Sequence, residues 1–295
     1  TMKVAIFGQY YQNDTRPIIR DIIVFFEANQ VEMVIEKDFL TNLYKEDIVQ
    51  KEYKTFSKHT DLDSSFDILI SIGGDGTILR AATFVRDLGI PILGVNAGRL
   101  GFLAKVQKEN IETFLQIVLE KKYSISERTL LGLTAAPLNS EISNLNFAMN
   151  EVTVSRKDTT SMITIETYLN GEYLNSYWAD GLIISTPTGS TGYSLSCGGP
   201  VLTPDVKSLV ITPIAPHNLN ARPLVITDDT EIELHVSGRE ENYLVSLDSR
   251  TTSISNNTVL KIKKTPFVIK MVEIPNETFL KTLRNKLLWG QDKRN

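Results

Sequence analysis

The segment DILISI at 67–72, followed at once by GGDGT at 73–77, constrains the fold more than any other part of the chain. A run so rich in β-branched apolar residues reads as a strand buried on both faces, the situation of a strand inside a parallel sheet covered by helices. Glycines then turn the chain sharply, and helical spacing follows over 77–88. The same alternation runs from Lys3 to about residue 125. KVAIF (3–7), VEMVIE (31–36) and PILGV (91–95) read as strands, and 111–121 as a helix. Over 17–28, Ile18, Ile19, Ile22, Ile23, Phe25 and Phe26 share one broad helical face. Strand and helix taking turns predicts an α/β domain with a parallel sheet.

Beyond about Arg128 the period shortens. LLGLTAAPL (130–138), NEVTVSR (150–156), ITIETYLNGEYL (163–174), LIIST (182–186), LVITPIA (209–215), PLVIT (223–227), EIELHV (231–236), YLVSLD (243–248) and VLKIKK (259–264) are strand-length runs separated by turn residues. Asn170-Gly171 between apolar runs is a strong hairpin signal. This part is expected to be mostly β. Helical spacing returns over 277–289 through Phe279, Leu280, Leu283, Leu287 and Leu288, as a helix able to pack back on the first domain. The expected division is 1–127, 128–274 and 275–295.

Composition closes off several classes. The 295 residues suffice for one large domain or two modest ones, and 42% hydrophobic with 22% charged residues excludes wholesale disorder, collagen and coiled coil. With 31 Lys+Arg against 35 Asp+Glu, the net charge of −4 is too balanced for a chain that lives on a phosphate backbone, so no nucleic-acid partner is expected. The single cysteine, Cys197, excludes an internal disulfide and any Cys-cluster metal site. His59, His217 and His235 lie in no metal-ligand spacing, and no protein-built metal site is expected. Thr1 before Met2 looks like a remnant of expression, KVAIF follows without a basic leader, and no stretch reaches the roughly 18 apolar residues of a membrane span. A reducing cytoplasm fits.

The glycine-rich loop is the first candidate site. Gly73, Gly74 and Gly76 let backbone N–H groups approach a ligand, and the helix that follows favours anions at its N-terminus, so phosphate is the natural occupant. An aspartate is awkward beside phosphate. Its presence suggests that Asp75 accepts a hydrogen bond or proton from a hydroxyl, or helps hold a divalent cation, which is kinase chemistry. Taken alone, the loop reads as well as a strand-to-helix turn in which Asp75 caps the helix. It is neither a Walker A loop nor the G-x-G-x-x-G fingerprint.

NAGRLGFL (96–103) falls where the carboxyl edge of a parallel sheet binds ligands, though a plain β-to-α loop fits equally. Asn150-Glu151 opens a strand and pairs an amide with a carboxylate, suited to ribose hydroxyls or an adenine amino group; in isolation both could simply face solvent. DGLIISTPTGSTGYSLSCGGP (180–200) gathers small hydroxyl-bearing residues after a β run, with Tyr193 available to line a base. Cys197 reads there as a small filler and not as a nucleophile, and His217 beside Pro216 as a turn histidine more than a ligand contact.

GGDGT after a buried strand resembles the phosphotransferase superfamily that includes NAD kinases, diacylglycerol and sphingosine kinases and 6-phosphofructokinases. NAGRLGFL, Asn150-Glu151, the 180–200 run, LVITPIAPHNLNARPLVI (209–226), LDSR (247–250) and LRNKLLWGQDKR (283–294) are similar to NAD kinases alone. Gly192 and Cys197 stand where alanine is frequent, and Trp178 where many relatives carry a basic residue; Arg80 or Arg250 could compensate for that missing charge. The resemblance implies a Rossmann-like α/β domain, a two-sheet β-rich domain, and a dinucleotide held in the crevice between them. It implies transfer of the γ-phosphate of ATP, or another phosphoryl donor, to the 2′-hydroxyl of the adenosine ribose of NAD, with Mg²⁺ as the expected divalent cation.

Under it Asp75 is the catalytic residue. Gly73, Gly74, Gly76, Thr77 and Arg80 would meet phosphate, and Asn150 and Glu151 ribose and base. Asp180 would meet the nicotinamide end or a neighbouring copy, and Thr191, Gly192, Tyr193, Ser194, Leu195 and Ser196 would line the adenine pocket. Trp178, Ala215 and Arg250 complete the set. A homodimer or homotetramer is implied, with the site borrowing residues from a neighbouring subunit. A lipid-type kinase sharing GGDGT and a nucleotide-sensing module without catalysis are the competing readings; the polar 185–196 run speaks against an apolar acceptor groove.

Overall fold

A computed structural model describes residues 2–9, 15–98, 100–157 and 161–290. Thr1, Arg99 of the NAGRLGFL run and the tail beyond residue 290 lie outside the described residues. Two compact units are present, one formed by Thr1–Glu127 with Ile269–Asn295, the other by Arg128–Val268.

In the first unit the chain runs β1 (Lys3–Gly8), α1 (Thr15–Ala28), β2 (Glu32–Glu36), α2 (Lys37–Lys45), β3 (Lys54–Phe56), β4 (Ile68–Gly73), α3 (Asp75–Val85), β5 (Ile92–Asn96), α4 (Ile111–Leu119) and β6 (Ser124–Arg128). The β1–β2, β2–β3, β1–β4 and β4–β5 pairs are all parallel. Both faces of the sheet are covered. Val4, Ile6, Ile68 and Ile70 pack with Ile18, Ile19, Ile22 and Phe26 of α1 and with Phe114, Leu115 and Val118 of α4. On the other face Phe7 meets Phe84 of α3 edge-on, with centroids 5.2 Å apart. The apolar run at 67–72 therefore lies where its composition placed it, in the middle of a doubly covered sheet.

β1 lies between β2 and β4, so the chain leaves the sheet centre in opposite directions and the carboxyl ends of β1 and β4 form a topological switch point. Gly73 ends β4 there. The Gln9 amide, just past β1, donates to the Ile72 carbonyl at 3.0 Å, and the Thr77 hydroxyl donates to Gln9 Oε1 at 3.1 Å. The glycine-rich loop and the end of β1 are thereby tied together.

The second unit runs β7 (Leu131–Ala136), α5 (Ser140–Asn144), β8 (Phe147–Ala148), β9 (Glu151–Arg156), β10 (Ile163–Leu169), β11 (Glu172–Ala179), β12 (Gly181–Ser185), α6 (Tyr193–Ser196), β13 (Ser208–Ile214), β14 (Leu224–Thr227), β15 (Ile232–Gly238), β16 (Asn242–Leu247), β17 (Arg250–Ser255) and β18 (Val259–Lys264). Two six-stranded antiparallel sheets result, in orders β11-β10-β15-β18-β7-β8 and β14-β13-β12-β9-β16-β17. Alternate side chains of both enter one core, Ile165, Leu234 and Ile262 from one sheet meeting Val154, Leu182, Ile211 and Val245 from the other. Asn170 and Gly171 turn the β10–β11 hairpin with φ of 51° and 83°, the positive pair that an Asn-Gly turn supplies at least cost.

The chain then returns as β19 (Ile269–Glu273) and α7 (Phe279–Leu287). β19 lies in the first unit's sheet between β5 and β6, parallel to β5. Residues 269–274, placed by periodicity with the β-rich domain, thus go with the first unit through β19, as does the helix that follows. The expected α/β domain, two-sheet β domain and returning C-terminal helix are borne out. No helix among the described residues is long and apolar enough to cross a membrane.

Candidate active site

The first constellation is built around the opening turn of α3. Gly73 has φ +154°, and a Cβ on it would stand 2.2 Å from the Thr77 hydroxyl oxygen, so glycine there is demanded by the fold. Gly74 and Gly76 differ. Each would place a Cβ in open space, and neither has positive φ. Nothing among the described residues requires them to be glycine, whereas a ligand approaching the helix N-terminus would.

The helix begins at Asp75, two residues earlier than its periodicity announced, with Gly74 as N-cap. Asp75 does not cap it by side chain. Its carboxylate instead accepts from three successive amides of another loop: Oδ2 from Phe102 at 2.8 Å, and Oδ1 from Leu103 and Ala104 at 3.0 Å each. Gly101 makes the approach feasible, since a Cβ there would come within 2.0 Å of Asp75 Oδ1. GGDGT and the second half of NAGRLGFL are therefore one assembly. Arg80 falls in the second turn of α3; it is exposed, with its guanidinium carbon 5.4 Å from the Phe7 ring centroid.

The second constellation lies at the amino end of β9. Asp248, in a left-handed turn at φ 49°, accepts from the amides of Met149 at 2.9 Å, Asn150 at 2.7 Å and Glu151 at 3.2 Å. The Thr186 hydroxyl donates to the Met149 carbonyl at 2.6 Å and accepts from the Gly189 amide at 3.1 Å. Gly189 is forced, because a Cβ there would lie 2.1 Å from the Asn150 carbonyl oxygen. Asn150 and Glu151 are thus presented by a backbone clamped from two sides. Glu151 Oε2 is buried without a hydrogen-bond partner among the described residues. Burial, and next the nearby Asp248, push its pKa up to about 7. A point just off Gly192 lies 3.5 Å from both Asn150 Nδ2 and Glu151 Oε2, so these groups and the 180–200 run converge.

Tyr193 opens α6 and is exposed. Burial raises its phenol, and the charges of Cys197, Asp180 and Glu151 add to the effect. Asp180 pairs with Arg156 at 3.2 Å. Thr191 ends a 3₁₀ turn and donates to the Thr188 carbonyl at 3.2 Å, while Leu195 is half-buried and Ser196 exposed on α6. Ser194 is buried and shares a hydrogen bond with Thr212 at 2.8 Å, facing inward. Trp178 is 49% exposed and stacks at 4.5 Å on His217, whose amide donates to the Trp178 carbonyl. Ala215 adopts φ 43° in the adjoining turn. Arg250 donates to the carbonyls of Leu145, at 2.8 Å, and Phe147. Asp248 and Gly101 were absent from the residues singled out in the sequence. Asp248 stands in the LDSR run and Gly101 in NAGRLGFL, but neither residue type announces that it orders a neighbouring loop.

A family model described as the ATP-NAD kinase N-terminal domain matches residues 11–123, and one described as the ATP-NAD kinase C-terminal domain matches 149–274. The NAD kinase of Flavobacterium johnsoniae is 75% identical over 294 residues, covering 100% of both chains, and that of Cytophaga hutchinsonii 45% identical over 295 residues with the same coverage. Among solved structures, yeast NADH kinase complexed with NADH superposes with a TM-score of 0.87 at 22% identity, covering 99% of this chain and 89% of that one, a likeness of fold. An NAD kinase from Archaeoglobus fulgidus in complex with ATP gives 0.71 at 25% identity, covering 97% of each chain. Matched by family models over both its α/β and β-rich parts, and by full-length relatives at these identities, the chain belongs to the NAD kinase family.

Proposed function

We propose that this protein transfers the γ-phosphoryl group of ATP to the 2′-hydroxyl of the adenosine ribose of NAD, giving NADP and ADP. The observation that carries the reading is the Asp75 carboxylate, fixed by three amides at the mouth of a glycine loop whose Gly74 and Gly76 face open space. Relatives along the full chain bear the name NAD kinase, and one solved relative was captured with ATP.

Phosphoryl transfer depends on alignment and charge neutralisation more than on covalent help. A carboxylate has about four lone-pair directions. The three amide bonds leave Asp75 room for one more donor, the ribose hydroxyl. As the 2′-oxygen bonds to the γ-phosphorus and the bridging bond to ADP breaks, the hydroxyl proton passes to Asp75. The backbone at Gly73, Gly74, Gly76 and Thr77 cradles phosphate, with exposed Arg80 as the nearby cation. With the Asp75 lone pairs taken up, Mg²⁺ would be carried by phosphate oxygens of bound ATP and by the several waters it commonly keeps, and it would neutralise phosphate charge.

Asn150 and Glu151 bind ribose and base, with Thr191, Gly192, Tyr193, Leu195 and Ser196 lining the adenine pocket. Ser194 supports that wall from behind through Thr212. Asp180, set by Arg156, meets the nicotinamide end beside Trp178 and Ala215. Arg250 serves the site indirectly, by anchoring the 145–147 carbonyls next to the clamp on Asn150. The protein acts in the cytoplasm as a homodimer or homotetramer.

The test is an assay of the purified protein with NAD, ATP and Mg²⁺, read as NADPH after an NADP-specific dehydrogenase step. NADPH formation matched by ADP release is expected. NAD binding without product would favour a nucleotide-sensing module, and phosphorylation of a lipid alcohol in place of NAD a lipid-type kinase.

A further inference from the structure

We infer that the C-terminal helix α7, through Lys286 and Phe279, positions the Asp75 carboxylate by bracing the loop at 100–104. The inference rests on the role given to Asp75 above and extends it to residues some two hundred positions away in the chain.

The loop itself is irregular, and strand pairing holds it only beyond its far end, where Val106 bridges β5 through Gly94 and Asn96. On its inner side it is welded to Asp75 by the amides of Phe102, Leu103 and Ala104. Its tolerance is small. A shift toward α3 closes the gap that Gly101 keeps open, where a Cβ would already lie 2.0 Å from Asp75 Oδ1. A shift away lengthens the amide bonds, and the carboxylate turns with them. The carboxylate direction therefore copies the position of the loop.

Beside its packing on β5, the loop is braced from outside by the returning chain. Lys286 Nζ donates to the Leu100 carbonyl at 2.7 Å and lies 5.8 Å from the Phe102 ring centroid. The Phe102 ring packs against Phe279 with centroids 5.9 Å apart. At the other end of the loop, buried Lys105 pairs with Glu273 of β19 at 2.5 Å. Every one of these braces comes from 273–286, after the β-rich unit. Lys286 itself is exposed, and a surface lysine bonded to one carbonyl contributes little to global stability. Its placement on the loop that orients the reacting carboxylate gives it leverage of another kind, since misplacement by about 1 Å can cost on the order of a hundredfold in rate.

The test compares Lys286→Ala, Lys286→Arg, Phe279→Leu, Asp75→Asn and, as a control on the same helix, Lys281→Ala, whose ammonium pairs with Glu277 and not with the loop. For Lys286→Ala, kcat is expected to fall about three- to tenfold with the KM for NAD and the melting temperature unchanged. Lys286→Arg, which keeps a donor, should recover most of the loss, Phe279→Leu should show the same kcat-only effect, and Lys281→Ala should match the parent. A wild-type kcat for Lys286→Ala, a loss carried by KM, or a loss that arginine does not recover would overturn the inference. If Asp75→Asn lowers kcat while Lys286→Ala does not, only the inference falls. If Asp75→Asn itself turns over at the parent rate, the role given to Asp75 falls first.

Discussion

Two aspartates in this protein perform the same local task, and the difference between them separates structure from chemistry. Asp248 gathers the amides of 149–151 and Asp75 those of 102–104. Asp248 is buried, and its pKa is pushed up by that burial against the pull of its three amides and of Arg250. Asp75 is half-exposed at the head of α3, beside glycines that face open space, so it can clamp a loop with one part of its carboxylate and meet a ligand with the rest. Asp75→Asn keeps the size and one acceptor oxygen but turns the other into a donor facing backbone N–H groups. Loss of kcat by about 10²–10⁴-fold is expected, the range for removing a positioned base. The far-UV spectrum should be intact and NAD affinity by calorimetry should be close to that of the parent. A variant with the parent kcat would remove Asp75 from the mechanism.

At the scale of elements, the opening turn of α3 shows a helix start serving a ligand at the expense of the helix. Gly76 is the second residue of α3, in ordinary backbone with room for a Cβ. Alanine in its place should stabilise the helix by about 0.5–1 kcal/mol. Gly76→Ala is therefore expected to raise the melting temperature slightly while raising the KM for ATP several-fold, two measurements moving in opposite senses. A variant both more stable and equally active would show that the glycine serves no ligand. This turn also marks how far sequence reading reaches. Periodicity began the helix at 77 because it discounts glycine and aspartate, yet first-turn positions need no full set of intrahelical bonds and accept both. The apolar strands and the Asn170-Gly171 hairpin were legible because burial and turn geometry are written in residue type. β17 was not, since RTTSIS is mostly polar, and neither was β19, whose neighbours β5 and β6 lie far away in the chain. At the site, GGDGT, Asn150-Glu151 and the 180–200 run could be read, but the partners of Asp75 could not. They are backbone amides, which any sequence supplies, and Gly101 is their one trace.

For the whole molecule, the β-rich unit holds a carboxylate that its fold does not satisfy. Glu151 Oε2 is buried without a hydrogen-bond partner among the described residues, and burial next to Asp248 raises the group from 4.5 to about 7. The folded state thus keeps this proton over a range in which the unfolded chain releases it. Below about pH 4.5 both states are protonated and the group is neutral toward folding. As pH rises from there to about 7 the unfolded state sheds its proton first, so stability falls by up to about 3 kcal/mol and then levels off once the folded state has ionised too. Glutamine imitates the protonated form. Glu151→Gln is therefore expected to melt a few degrees above the parent at pH 8, with the gap closing toward pH 5, while binding NAD about ten- to a hundredfold more weakly at pH 8 through loss of a charged acceptor. Melting curves at the two pH values and calorimetric titration with NAD check both halves. An advantage in melting temperature equal at pH 5 and pH 8 would mean that ionisation of this carboxyl is not what strains the fold. Weaker binding together with greater stability is the pattern expected of a group retained for its ligand, since a site that must receive a sugar or base holds polar atoms unpaired until the ligand arrives.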